Sequence, residues 1–113
     1  MKIDNATAQM RKGVLEMCIL ASVSIERKYA TEILTHLKSV DLIVVEGTLY
    51  PLLARLRSAG LVGYEWEESA SGPPRKYYLL TKEGELFLNE LTSGWNALHN
   101  SVKNLINLKS KKS

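Results

Sequence analysis

The chain has 113 residues, of which 45% are apolar and 24% are charged, and its formal net charge is +3. These values are typical of one folded domain with a modest core, and they exclude a disordered chain. Domains of this size often gain stability by association, so a dimer is plausible. The small positive charge permits an anionic partner without requiring one.

Cysteine content and hydropathy predict a cytoplasmic protein. The single cysteine, Cys18, cannot form a disulfide within the chain, which fits a reducing compartment. The N-terminal segment "MKIDNATAQMRK" is polar and does not resemble a signal peptide. No apolar run approaches the roughly 20 residues that a membrane-spanning helix needs.

The first part of the chain has helical periodicity. Apolar residues at helical spacing predict a first, largely buried helix from Thr7 to about Val23, and a second, shorter helix from about Tyr29 to Lys38. The apolar run "LIVV" at residues 42–45 is too short for a helix. It indicates either a small strand or a buried linker.

The segment "EGTLYPLLARLRSAG", residues 46–60, predicts a third helix. Its leucines have the spacing of one helical face: Leu49, Leu52, Leu53 and Leu56. Gly60 suits a left-handed C-terminal cap. Pro51 is tolerated in a first turn, where amides lack helical partners, so Thr48 is the predicted N-cap. The alternative is a start nearer Val45, in which Pro51 removes one hydrogen bond.

The remaining elements complete a winged helix. "LVGYEWEE" and "RKYYLL" predict two strands, separated by a flexible tip, "SASGPP". Thr81 is the predicted cap of a long last helix. The predicted fold class is therefore mainly α with a small β component (α+β). We expect a winged helix-turn-helix domain over residues 1–80, and a long C-terminal helix with a basic tail over residues 81–113.

The third helix has an unusual outer face. Opposite its leucines lie only small or compact residues: Gly47, Pro51, Ala54 and Ser58. Polar and cationic residues flank this ridge: Thr48, Arg55, Tyr50 and Arg57. A helix in the DNA major groove needs its backbone close to the base edges, with donors and cations at its margins. The pattern predicts DNA contact, and a solvated surface that happens to be small is the alternative.

Two cations, Arg75 and Lys76, stand at the base of the predicted wing. From there they could reach phosphates or the adjacent minor groove, which adds both to the predicted DNA-binding residues. Ordinary surface charge is the alternative. Three acidic residues on the facing strand limit any broad basic patch: Glu65, Glu67 and Glu68.

Three motifs, "EGTLYPLLARLRSAGLV", "WEE" and "SGPPRKYYLLTKEG", resemble the PadR family of bacterial winged-helix transcription regulators. The resemblance covers roughly residues 14–91. It implies a homodimeric repressor that binds a palindromic operator through its third helix and, in many members, is released by an effector. Matching positions in "GTLYP" and "RKYY" imply DNA contacts by Thr48, Tyr50, Arg75 and Lys76. Family members usually read YGYEI where this chain has "YATEI", so a contact by that second tyrosine is not transferred to Thr31.

The last helix has the alternating spacing of a coiled-coil seam: Leu88, Leu91, Trp95, Leu98, Val102 and Leu105. We expect this seam to pack on the first helix of a second copy, through Met10, Val14 and Met17. The alternative is a monomer in which the seam folds back on its own first helix.

Trp95 is large for a seam position and follows Gly94. Drug-responsive members of the short PadR branch have a tryptophan at the corresponding place. The resemblance implies that planar apolar compounds stack on Trp95 at the dimer centre. The alternative is that Trp95 only fills the interface.

The sequence lacks the patterns of an enzyme. His36 and His99 are far apart, and no metal-ligand cluster, nucleophile with a base at motif spacing, or glycine-rich phosphate loop is present. We expect no catalytic residues, no metal and no cofactor. The second functional hypothesis is therefore a winged-helix protein-interaction module that does not bind DNA, which the modest net charge favours.

Overall fold

The computed structural model describes residues 2–111, and within them the chain forms five helices and one hairpin. The helices are α1 (Ile3–Lys12), α2 (Leu15–Ile25), α3 (Ala30–Ser39), α4 (Glu46–Ser58) and α5 (Lys82–Lys111). The strands are β1 (Val62–Ser69) and β2 (Gly72–Leu80), which pair antiparallel between α4 and α5.

The predicted first helix, Thr7 to Val23, is wrong in one respect, because the chain breaks it into α1 and α2 at residues 13–14. The amides of Gly13 and Val14 bond to carbonyls three residues back, Met10 and Arg11, at 3.3 and 3.0 Å. Glycine has a low helix propensity, which weakens the helix at this point. Only α2 is buried as predicted, since α1 has no buried residue.

The core lies where α2, α3 and α4 meet the hairpin. Its most buried members come from the apolar faces that the periodicity predicts: Ile19, Leu20, Val23, Ile33, Leu37, Leu49, Leu53, Leu56, Val62 and Tyr78. The run 42–45 has no regular secondary structure, and Leu42 and Val44 pack against the core. This run is therefore the partly buried linker, not a strand.

The predicted third helix is α4, and the structure corrects its predicted start. The N-cap is Val45, not Thr48, and the Val45 carbonyl accepts from the amides of Thr48 and Leu49, both at 3.0 Å. Pro51 therefore lies inside the helix and withholds the amide that would bond to the Gly47 carbonyl. No side chain caps this end, because valine has no polar side-chain atom that could accept from the first amides.

The C-terminal end of α4 is as predicted. Gly60 has a positive φ of 78°. Its amide bonds to the Arg57 carbonyl at 2.9 Å, and the Leu61 amide bonds to the Leu56 carbonyl at 3.0 Å. This pair of bonds is a Schellman motif, which favours glycine because the left-handed conformation strains other residues.

The hairpin is longer than predicted. Its strands continue through most of the predicted tip, so that only Ala70 and Ser71 form the turn and both Pro73 and Pro74 lie in β2. Proline is acceptable there because alternate residues of each strand point their amides to the outer edge, and because the pairing is irregular opposite the prolines, between Glu67 and Ser69. Backbone hydrogen bonds of 3.0 and 2.8 Å between Lys28 and Tyr78 join β2 to the segment before α3.

Thr81 caps α5, as predicted. Its hydroxyl accepts from the Gly84 amide at 2.9 Å and donates to the Gly60 carbonyl at 2.7 Å. This contact brings the start of α5 close to the end of α4, where Gly84 lies directly against the Leu61 carbonyl. The helix then runs through Lys111. Of the predicted basic tail, 109–113, residues 112 and 113 lie outside the described chain.

Between residues 2 and 111, no helix is both long and apolar enough to cross a membrane.

We predict that Gly84→Ala destabilises the protein. A Cβ at this position would overlap the Leu61 carbonyl oxygen, a backbone atom that cannot swing away. We expect a loss of about 1–3 kcal/mol in the free energy of unfolding, measured by thermal denaturation followed by circular dichroism.

Gly47→Ala is the matched control for Gly84→Ala, because Gly47 is also helical and a Cβ there meets nothing within 4 Å. This variant should unfold with unchanged free energy or be up to about 1 kcal/mol more stable. Equal losses in the two variants at one protein concentration would contradict the close contact at Leu61.

Candidate nucleic-acid interface

The outer face of α4 is open to solvent. Its compact members are all exposed: Gly47, Pro51, Ala54 and Ser58. The opposite face buries Leu49, Leu53 and Leu56 in the core. Thr48 and Tyr50 are exposed beside the compact ridge, and Tyr50 keeps 47% of its surface accessible. No described part of the chain therefore packs over the compact outer face of α4.

One margin of α4 joins the hairpin through a cluster of aromatic rings and cations. The guanidinium carbon of Arg57 lies 4.3 Å from the ring centroid of Tyr64, and Lys76 Nζ lies 4.5 Å from the same centroid. Lys76 Nζ is also 5.3 Å from the ring of Trp66, which is 62% exposed. We call the surface made by Tyr50, Arg57, Tyr64, Trp66 and Lys76 the α4–wing face.

Arg75 is held by α3 rather than by α4. Its guanidinium carbon lies 3.6 Å from the ring centroid of Tyr29, and it donates to Thr31 Oγ1 at 3.1 Å. The Tyr29 ring stacks on Tyr77 at 4.0 Å. Thr31 therefore orients a cation at the start of α3.

Arg27 stands at the far end of this stack. Its guanidinium carbon lies 4.8 Å from the Tyr77 ring, and it forms a 2.9 Å ion pair with Glu65. The two tyrosine rings thus lie between two cations. Arg75 has no acidic partner among the described residues, whereas Arg27 is paired with Glu65.

A cleft of about 310 Å³ lies between α3, α4 and the hairpin. Both wing cations reach it, together with exposed Tyr50 and Trp66, and buried Tyr78 forms part of its wall. Burial raises the pKa of Tyr78, so this phenol is neutral at neutral pH and does not offset the positive charge of the lysine and the arginine. The cleft combines cations, aromatic surface and hydroxyl groups, which suit phosphates and base edges.

Arg55, on the other margin of α4, points to a different groove. It pairs with Glu16 of α2 at 3.4 Å. Both line a groove of about 380 Å³ between α2 and α5, along which Phe87, Trp95 and Leu98 also lie. The structure therefore separates Arg55 from Arg57, Arg75 and Lys76, although all four are predicted DNA contacts.

The seam of α5 divides into two parts. Leu88 and Leu91 are half-buried against the core of the chain. The later members are exposed: Trp95 41%, Leu98 58%, Val102 48% and Leu105 70%. Trp95 stacks on His99 with ring centroids 5.6 Å apart. On α1 and its junction with α2, Met10 is 69% exposed, while Val14 and Met17 are half-buried.

Sequence reasoning missed two aromatic residues that organise the α4–wing face. Tyr64 and Trp66 alternate along β1, and the register Trp66↔Lys76 places them on the face of Lys76. Alternation within "YEW" is the signal that the sequence offers. It has no meaning for the site until the partner strand and its register are known.

Two polar side chains inside the fold have structural partners. Lys28 is 7% exposed, and its Nζ donates to the carbonyls of Ser22 at 2.7 Å and Glu26 at 3.4 Å. The Ser22 hydroxyl lies 2.7 Å from His36 Nδ1.

Burial raises the pKa of Cys18, which keeps its thiol protonated and poorly nucleophilic. Among residues 2–111 no cluster of potential metal ligands forms.

The three-helix core with its β hairpin defines a winged-helix protein, and comparison with known proteins gives the family. Residues 19–90 match the sequence profile of the transcriptional regulator PadR-like family. That match covers more than half of the chain. The chain therefore belongs to the PadR-like family of transcriptional regulators.

Solved structures agree with this assignment. A PadR-like transcription factor from Bacteroides fragilis is 53% identical, with a TM-score of 0.76, and the match covers 89% of this chain and 98% of that one. A PadR family regulator from Eggerthella lenta is 34% identical, with a TM-score of 0.86 and coverage of 92% and 91%. A PadR-like regulator from Bacillus cereus is 40% identical, with a TM-score of 0.77 and coverage of 87% and 96%.

Membership confirms three predictions: the family, the winged-helix fold, and a regulator of transcription rather than an enzyme. Because such regulators act on DNA, double-stranded DNA is the expected partner of this chain.

Proposed function

We propose that this chain is a homodimeric cytoplasmic repressor that binds a palindromic operator and is released by a planar apolar effector. The observation that supports DNA binding most directly is the exposed, compact face of α4 with cations at its margins. Small side chains on that face allow the helix backbone to approach base edges in the major groove.

Each subunit would place α4 in one major groove. Thr48 and Tyr50 lie at the exposed N-terminal half of the helix and would face the bases. Arg57, Arg75 and Lys76 would contact phosphates from the hairpin side, and Arg55 from the α2 side. In a symmetric pair the two α4 helices would lie about one turn of DNA or more apart, roughly 34 Å or a multiple of it.

The apolar seam of α5 supports the dimer and the division into a DNA-binding unit, 1–80, and a dimerisation segment, 81–113. Leu98, Val102 and Leu105 are exposed along one side of the helix. A chain that stays monomeric rarely leaves such a continuous apolar stripe in water. The partner would cover it, with Met10, Val14 and Met17 at the same interface.

The groove between α2 and α5 supports effector binding at Trp95. The exposed indole provides a flat apolar surface, and Glu90 lies in the same groove, where it would favour a cationic compound, whereas the charge of Glu16 is paired with Arg55. The dimer would have conformations that differ in the distance between its two wings, and only one of them would fit DNA. A compound that binds another conformation more tightly would lower the population of the DNA-competent one, by no more than its difference in affinity for the two.

We predict that Ala54→Leu weakens DNA binding by about tenfold or more, because a larger side chain holds α4 away from the base edges. The measurement is fluorescence anisotropy on a duplex selected in vitro for binding to the wild-type protein. Ala97→Leu, at an exposed outer position of α5, is the matched control and should bind as the wild type does. Wild-type affinity in the Ala54→Leu protein would contradict insertion of this face.

To test the dimer, the mass of the protein is measured by sedimentation, and the wild type should have twice the mass of one chain. The double variant Leu98→Glu, Leu105→Glu should sediment as a monomer. Charges in an apolar seam would lose their hydration without gaining a partner. Asn104→Glu, at an exposed outer position of the same helix, should leave the dimer intact. A monomeric wild type would refute the arrangement.

For the effector, titration with a panel of planar aromatic cations should quench or shift tryptophan fluorescence. The protein has two tryptophans, so the titration uses Trp66→Phe to isolate the signal of Trp95. A second protein, Trp95→Leu, should not respond. The absence of any change with every compound would count against an effector at Trp95.

A further inference from the structure

The ring of Tyr64 connects a cation of α4 with a cation of the hairpin. Tyr64 is half-buried on β1, and both Arg57 and Lys76 lie within 4.5 Å of its ring centroid. Cations are attracted to the negative face of an aromatic ring. One side chain therefore restrains two long, flexible side chains that come from different elements.

The Tyr64 ring is itself fixed by the sheet and the core. Tyr64 pairs with Tyr78, and Trp66 pairs with Lys76, so Lys76 is a diagonal neighbour of Tyr64 on the same face. The ring meets Tyr78 edge to face at 6.1 Å and Trp66 at 5.9 Å. Because Tyr78 is 7% exposed, this contact ties the cluster to the core.

We propose that Tyr64 is a positioning residue for DNA binding, which holds the charged ends of Arg57 and Lys76 at a fixed separation so that both meet one phosphate strand. This inference rests on the proposed function. Tyr64 itself need not touch the nucleic acid. Its contribution is that two rotamer-rich side chains are ordered before binding, which lowers the entropy lost when the complex forms.

The ring, not the hydroxyl, carries this role, because both contacts are to the ring centroid and no hydrogen bond from the Tyr64 hydroxyl occurs among the described residues. Tyr64→Phe keeps the ring and is the matched control for Tyr64→Leu. A residue that only supported the fold would affect DNA binding independently of the two cations.

The test is a double-mutant cycle on a random duplex of about 30 base pairs, with anisotropy measured from about 50 to 200 mM salt. Tyr64→Leu should weaken binding by about five- to tenfold, and Tyr64→Phe by less than about twofold. In a background of Arg57→Ala with Lys76→Ala, Tyr64→Leu should change affinity by less than about twofold, because nothing remains for the ring to position.

Three results would overturn the proposal: unchanged affinity in Tyr64→Leu, the same loss in Tyr64→Phe as in Tyr64→Leu, or an equal Tyr64→Leu effect with and without the two cations. If Tyr64→Leu does not fold, wild-type NMR decides. The δ-methylene protons of Arg57 should then be shifted upfield by the ring, and Tyr64→Phe should preserve the shift; random-coil values in the wild type would refute the contact.

Failure of the proposed function has a different signature. In that case the wild-type protein itself would not bind the duplex at any salt concentration. The proposed positioning role fails alone when the wild type binds with strong salt dependence but the cycle is additive.

Discussion

The structure depends on one helix that must satisfy opposite requirements on its two sides. The inner side of α4 inserts Leu49, Leu53 and Leu56 into the core, each at most 1% exposed. In the proposed DNA complex, the outer side has to stay thin and uncovered so that a duplex can approach it. A large apolar residue there would favour burial against the rest of the protein, and a long charged one would keep the backbone away from the bases. Compact residues satisfy both demands, and the hairpin then places its cations beside them.

Features that depend on short-range physics were predictable from the sequence. The leucine spacing identifies the buried face of α4, because that spacing is imposed by the helix itself. Gly60 marks the end of the same helix, since the required backbone conformation strains any other residue. Thr81 identifies the start of α5 because a hydroxyl can accept from an amide three residues on. The same spacing identifies the compact outer face of α4, because those residues lie opposite the leucines on the helix.

Other features depend on contacts that no local pattern contains. The start of α4 is set by the backbone carbonyl of Val45, so no capping side chain marks it. The break at Gly13 was missed because single glycines also occur inside helices. The cluster around Tyr64 requires both the hairpin register and the packing of α4 on β1. Likewise, the turn of Arg55 toward Glu16 depends on how α2 and α4 are arranged.

The central claim is that the thin face of α4 and its bordering cations form the DNA-contacting surface of a symmetric pair. Its most direct test is the affinity of the wild-type protein for random duplex DNA as a function of salt. If Arg55, Arg57, Arg75 and Lys76 of two subunits each contact one phosphate, about eight contacts form, and log affinity should fall against log salt with a slope of about −7. An affinity that does not vary with salt, or no binding even in dilute buffer, would contradict the account.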